Sequence, residues 1–346
     1  MKSFLKAGVA GLLAAGMAAS TAIAQDVTLR FQHFLSPLAS VPAGFMEPWA
    51  QKIEEDSDGR IKVELFPAMQ LGGAPPALYD QIRDGVIDGG WALPAYTPGR
   101  FPETEVFELP FMSSMSAEAT SKAAWEFTER YVMERMSDVK LIAVHVHGPG
   151  IIHKKGPPVK TIADLDGLKL RGPSRQANTL LETLGASPVG MPVPAFPEAL
   201  SKGVVQGGVI PYEIVPPLKV HELADSHTEV GGDRALYNTF FIWGMNLAAY
   251  EALPNDLKAV IDANSGIVPS GLAGKAMDDG DDVGLDIIMK AGNEVHTLDE
   301  SVLAEIRAIG EAQTEAWIAE VTAKGLPGQE MVDYARELVA KYTDAM

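Results

Sequence analysis

Three histidines near the middle of the chain invite a chemical reading first. His145 and His147 fall two residues apart, on one face of an apolar run, and His153 follows closely. Imidazole nitrogens grouped in this way could hold zinc. Histidines near a strand end are more commonly hydrogen-bonded or solvated, so no metal is expected. The acidic run "DDGDD" (Asp278 to Asp282) lacks the ligand spacing of a calcium loop and reads as a solvated helix face. Arg171 ends the run "GLKLRGPS", where a parallel strand would point into a cleft. A guanidinium there can grip a carboxylate through two parallel hydrogen bonds, or can make an interdomain salt bridge. No G-x-S-x-G, H-E-x-x-H or P-loop is present, and the chain has no Cys, which removes thiol nucleophiles, thiolate metal sites and disulfides. No cofactor and no nucleophile–base set are expected.

The elements that must position these residues begin after a leader. Lys2 and Lys6 precede an apolar run that ends in small residues at Ala22 to Ala24, the pattern of a secretory signal peptide over residues 1–24. Export to a periplasm follows as the expectation, with no membrane anchor. The chain of 346 residues carries a net charge of −18. Removing the two leader lysines brings that to about −20, which disfavours nucleic acid and anionic lipid as partners.

Alternating strand and helix patterns then predict an α/β fold: "VTLRFQHF", a helix over residues 42–56, "GRIKVELF", a second helix and "VIDGGWAL". "DVKLIAVHVH" adds a strand, and a second series runs through "LKLRGP", "ASPVGMPV" and "VVQGGVIP". A short device occurs once in each series, "QIRDGVIDGG" from Gln81 and "ALSKGVVQGG" from Ala199. It reads as a helix, a Gly stop and a buried strand closed by a Gly pair. Ligands of open α/β sheets bind beyond the carboxyl ends of strands, so two such series predict two lobes enclosing a site. The expected division is a first lobe over residues 25–147, a second over 148–230, and a return crossing with bracing helices over 231–346. Each lobe is expected to be a mainly parallel sheet flanked by helices, with long C-terminal helices as the brace.

"GRIKVELFPAMQLGG", "FELPFM", "TIADLDGLKLRGPS", "LGASPVGMPVPAFPEALSKGVVQGG" and "YEALPNDLKAVI" resemble, in that order, landmarks of the solute-binding receptors of tripartite ATP-independent periplasmic (TRAP) transporters, the DctP-like family. The resemblance covers nearly the whole chain after the leader. It implies a two-lobed receptor that closes on an organic acid and hands it to permease subunits in the membrane. By position, Arg171 is similar to the family arginine that holds the substrate carboxylate. Three departures accompany it: Gly150 stands where many members have a second arginine, Val193 where many have Phe, and Ile210 where many have Asn. The Glu-Trp pair that holds a metal in some relatives falls on Val209 and Ile210.

These losses exchange polar lining for apolar lining. A buried unpaired polar group costs roughly 1–3 kcal/mol, so a second carboxylate or a set of sugar hydroxyls would lack partners. Trp91, Tyr212, Phe240, Phe241 and Trp243 fall on segments that face the cleft or fill the core, and aromatic faces suit a flat ligand body. His33 either donates to the ligand from the first lobe or caps the following helix. Arg100 either replaces the missing arginine or pairs with Glu103 or Glu105, and Tyr96 in the same loop offers a hydroxyl. The expected protein is a monomeric periplasmic receptor for an aromatic or apolar monocarboxylate or a 2-oxo acid. A C4-dicarboxylate or sugar-acid receptor, a secreted enzyme acting on an organic acid, and a two-lobed sensory protein are the alternatives.

Overall fold

The computed structural model describes residues 27–346, so the signal-peptide segment lies outside the described residues. Eleven strands are present among the described residues: β1 (Val27–Gln32), β2 (Ile61–Phe66), β3 (Gly89–Ala92), β4 (Val139–Val146), β5 (Ile151–Lys154), β6 (Lys169–Gly172), β7 (Ser187–Gly190), β8 (Gly207–Ile210), β9 (Ser226–Glu229), β10 (Phe240–Asn246) and β11 (Glu294–Thr297). They form two sheets, ordered β2-β1-β3-β10-β4 and β11-β9-β5-β8-β6-β7. Both are mixed and flanked by helices. β10 runs antiparallel between β3 and β4, and β5 antiparallel between β8 and β9, while the remaining pairs are parallel.

The chain passes from the first sheet to the second between β4 and β5, and returns between β9 and β10. β4 is apolar along nearly its whole length because it is covered on both faces. One cover is the helix Ala117–Tyr131, whose first turn is capped twice. Ser116 Oγ accepts from Ala119 N at 3.2 Å, and Asp278 accepts from Ala117 N at 2.6 Å and Glu118 N at 3.0 Å. Asp278 comes from the long helix Ile267–Ala291, and an anion at a helix N-terminus is stabilised by the exposed N–H groups. Asp281, one turn on, accepts from the backbone N of Glu213 in the second lobe at 2.7 Å. The acid run expected to face solvent is therefore divided: Asp279 and Asp282 are exposed, whereas Asp278 and Asp281 tie the long helix to both lobes.

A second brace comes from the helix Glu300–Ala323. Glu105 of the first lobe accepts from Arg175 and from Gln176 Nε2 (2.9 Å) of the second, and from Trp317 Nε1 (3.1 Å) of this helix. The tail also holds β11, which adds an edge strand to the second sheet. Its four residues are half exposed and carry no long apolar pattern, so the sequence reads only as helices there.

The duplicated device differs from its sequence reading in one respect. Gly85 and Gly203 do end their helices in the left-handed conformation (φ +71° and +72°), as the pattern requires. The Gly pairs, however, open β3 and β8 rather than close them. What they provide is close packing: a Cβ at Gly208 would lie 2.7 Å from the Phe196 ring and 2.9 Å from Arg171 Cβ.

Candidate functional site

Arg171 leaves the carboxyl end of β6 and is only 2 % exposed. Its Nε donates to the Met191 carbonyl and its Nη1 to the Val209 carbonyl, both at 3.0 Å. Two backbone acceptors from neighbouring segments thus fix the plane of the guanidinium. Among the described residues no carboxylate pairs with it, which removes the salt-bridge alternative. Burial pulls its pKa below the ordinary value, with the phenols of Tyr96 and Tyr237 opposing that effect, yet a guanidinium keeps its proton in proteins. The result is a buried, oriented cation without a counter-ion, an arrangement that is costly unless an anion completes it.

The cavity beside Arg171 is narrow, with a volume of about 40 Å3. The first lobe contributes Phe34, Leu35, Trp91, Leu93 and Tyr96, and the second contributes Pro173, Val193 and Ile210 through Ile214 apart from Tyr212. The return segment supplies Tyr237, Thr239 and Phe241, and the long helix supplies Met277. The lobes are closed over this space: Tyr96 Oη accepts from Val193 N across the cleft at 2.9 Å.

The aromatic wall is ordered by stacking. Phe34 lies parallel to Trp91 at 4.6 Å, and Trp91 parallel to Phe241 at 4.9 Å. Trp91 Nε1 donates to His145 Nε2 at 2.8 Å, which satisfies the indole and leaves its face apolar. Burial pushes His145 down to about 3, so it stays neutral and acts as that acceptor.

Polar groups remain at a few points. His147 Nδ1 donates to the Gly148 carbonyl at 2.6 Å, which places the lone pair on Nε2, and burial pushes its pKa down to about 4. Burial raises Tyr96 and Tyr237, so both phenols remain protonated. Glu213 is buried, and its carboxyl is pushed up to about 7 by burial, with a hydrogen bond to the Ser40 side chain opposing.

Of the residues singled out from sequence, Arg171, Trp91, Tyr96, Val193 and Ile210 line this cavity, and His33, Arg100, Tyr212 and Phe240 do not. Arg100 pairs with Asp80 at 2.8 Å and lies over the Tyr79 ring at 4.5 Å; neither Glu103 nor Glu105 holds it. His33 is buried outside the cavity lining, and its backbone bonds Phe66 and Met69. Tyr212 turns to the opposite side, donating to Glu229 at 3.1 Å in a separate acid-lined hollow. Phe240 packs on Phe107 in the first-lobe core, and Phe241 takes the cavity position, because neighbours on a strand face opposite sides. Trp243 is also core, packed edge-on against Trp49.

The histidine trio is not assembled. His153 lies in the second sheet, with Nε2 on the Ile210 carbonyl at 3.0 Å and Nδ1 2.5 Å from His227 Nδ1. Sequence reasoning gave no role in the site to Tyr237, Glu213, Thr239 or Phe34. They come from turns and crossings without a periodic signal.

A closed cleft between two α/β lobes, lined by aromatic rings around one fixed arginine, defines a solute-binding receptor. The comparisons agree. The family model for bacterial extracellular solute-binding protein, family 7 (DctP), matches residues 31–320, and the chain belongs to that family. A TRAP solute-binding protein from Rhodoferax ferrireducens, solved with copurified benzoate, is 44 % identical, with a TM-score of 0.89 over 92 % of this chain and 99 % of that one. A marine metagenome TRAP protein, solved with 3-hydroxybenzoate, is 47 % identical, with a TM-score of 0.90 and the same coverage. A TRAP protein from Bordetella bronchiseptica with bound mandelate is 31 % identical, with a TM-score of 0.84 over 91 % of this chain and 99 % of that one.

Proposed function

We propose that this protein is the periplasmic receptor of a TRAP transporter for an aromatic monocarboxylate. The observation that carries the reading is Arg171, a buried cation without a counter-ion at one side of a cavity walled by stacked Phe34, Trp91 and Phe241. One fixed cation neutralises one carboxylate, and the flat apolar faces take the ring. Benzoate, 3-hydroxybenzoate and mandelate, bound by similar proteins, have this form. The protein acts by capture rather than catalysis: the acid stabilises the closed lobes, and permease subunits read closure. It works as an exported monomer. No helix among the described residues is long and apolar enough to cross a membrane.

The test is a thermal-shift and calorimetric panel on protein unfolded and refolded to strip carried-over ligand. Benzoates and arylacetates should stabilise the fold, and Arg171→Ala should abolish the shift. Stabilisation by succinate or sugar acids in preference to benzoates would refute the ligand class. Turnover of a bound acid would refute the receptor role.

A further inference from the structure

Gly150 stands where the resemblance places a second arginine, and the structure shows what occupies that space. A Cβ on Gly150 would fall within the ring of Tyr237, so the phenol fills the volume that a longer side chain at 150 would enter. The two residues are also joined through the backbone, with Gly150 N donating to the Tyr237 carbonyl at 3.3 Å. His147 packs edge-on against the phenol at 5.4 Å, which fixes the ring from the other side.

Tyr237 is 2 % exposed and lines the cavity, and its hydroxyl has no hydrogen-bond partner in the protein. An orphaned buried hydroxyl is destabilising, so a partner supplied from the cavity would recover that cost. Burial keeps the phenol protonated and therefore a donor, and it lies near enough to Arg171 for the guanidinium charge to act on it. Arg171 spends Nε and one Nη1 hydrogen on backbone carbonyls. Its outer end, which also meets the Tyr96 phenol, is what it can offer a carboxylate, and that leaves lone pairs on the acid oxygens for another donor.

We propose that Tyr237 is the second carboxylate-binding group of the cavity, a neutral donor beside the one buried cation, and that this pairing restricts the site to acids carrying one carboxylate. The proposal rests on the monocarboxylate reading above. Arg171 balances the single charge, and Tyr237 adds a hydrogen bond without a second positive charge that would call for a dianion.

The experiment compares wild type and Tyr237→Phe by calorimetry with benzoate, 3-hydroxybenzoate and succinate, and measures the melting temperature of each ligand-free protein. Loss of a hydrogen bond to a charged group predicts benzoate binding weaker by roughly ten- to a hundredfold. The ligand-free melting temperature should stay equal or rise, because the deleted hydroxyl has no partner in the protein. Benzoate affinity within twofold of wild type overturns the proposal while leaving the monocarboxylate reading intact. A fall in melting temperature that accompanies the affinity loss also overturns it, because that marks a packing role. Wild-type protein that prefers succinate, or that binds none of the three acids, overturns the proposal and the reading beneath it.

Discussion

Glu213 makes binding by this cavity depend on pH in a way that can be worked out beforehand. Glu213 lines the cavity, and its carboxyl is pushed up to about 7 by burial. Below that value it is neutral and tolerates an anionic ligand, and above it the site holds a second negative charge. Affinity should therefore be constant at pH 5–6 and fall as pH rises through 7. If only the protonated form bound, the loss would be about twofold at pH 7 and tenfold at pH 8. Coulomb repulsion between the two charges limits how far the affinity falls, so the curve should bend towards a plateau at high pH. Calorimetry with benzoate from pH 5.5 to 9 reads this directly, and Glu213→Gln should flatten it. Other groups facing the cavity do not titrate in this window: His147 is neutral above about 4, and burial raises both phenols. Asp281, raised by burial and bonded to the Glu213 backbone N at 2.7 Å, is the remaining candidate, and Asp281→Asn separates its contribution. Constant affinity from pH 6 to 8.5, or an unchanged slope in Glu213→Gln, would refute the reasoning.

Two further predictions concern the groups around the site. Glu108 is buried, with Oε1 3.5 Å from Phe240 N and Oε2 without a partner, and burial reinforced by the neighbouring Glu105 pushes its carboxyl up to about 8. For a carboxyl raised on folding, the stability it contributes is complete below its unfolded value and is lost as pH rises through about 8; the full window is worth at most ~5 kcal/mol. Glu108→Gln should thus raise the melting temperature at pH 9 relative to wild type, with little change at pH 5, and parallel pH profiles would contradict this. Gly208→Ala should weaken benzoate binding about tenfold or more, because the added methyl meets Arg171 Cβ at 2.9 Å and Phe196 at 2.7 Å and a shift of about 1 Å at a binding group can cost that much. An unchanged dissociation constant would show that the guanidinium is not held from that side.

Much of the fold was legible in the chain because it rests on local rules. Apolar runs such as β4, left-handed glycines after two helices, and the helix–strand alternation all carry short-range signals, and they were enough to place two series of α/β units and Arg171 at a strand end. Where a signal is absent the reading stops. β11 is four half-exposed residues in a helical tail, and it becomes a strand only because β9 offers an edge to pair with. β10 shows a different limit. Its run of aromatics is buried on both faces, so periodicity cannot tell Phe240 from Phe241 until the register against β3 and β4 is known.

The sequence by itself determined the kind of chemistry available: no thiol, no catalytic motif, and an arginine at the end of a parallel strand among apolar and aromatic segments. Those facts are properties of residue type and order, and folding does not alter them. The tertiary structure decided which groups meet. Tyr237 and Gly150 are 87 residues apart in the chain, and only the crossing between sheets brings the phenol into the space the glycine leaves. Likewise Asp278 and Asp281 belong to one acidic run, yet burial against the lobes makes them caps while Asp279 and Asp282 stay in solvent. Side-chain direction and desolvation depend on long-range packing, and that is why one arginine, one orphaned phenol and one raised carboxyl become a site only in the closed protein.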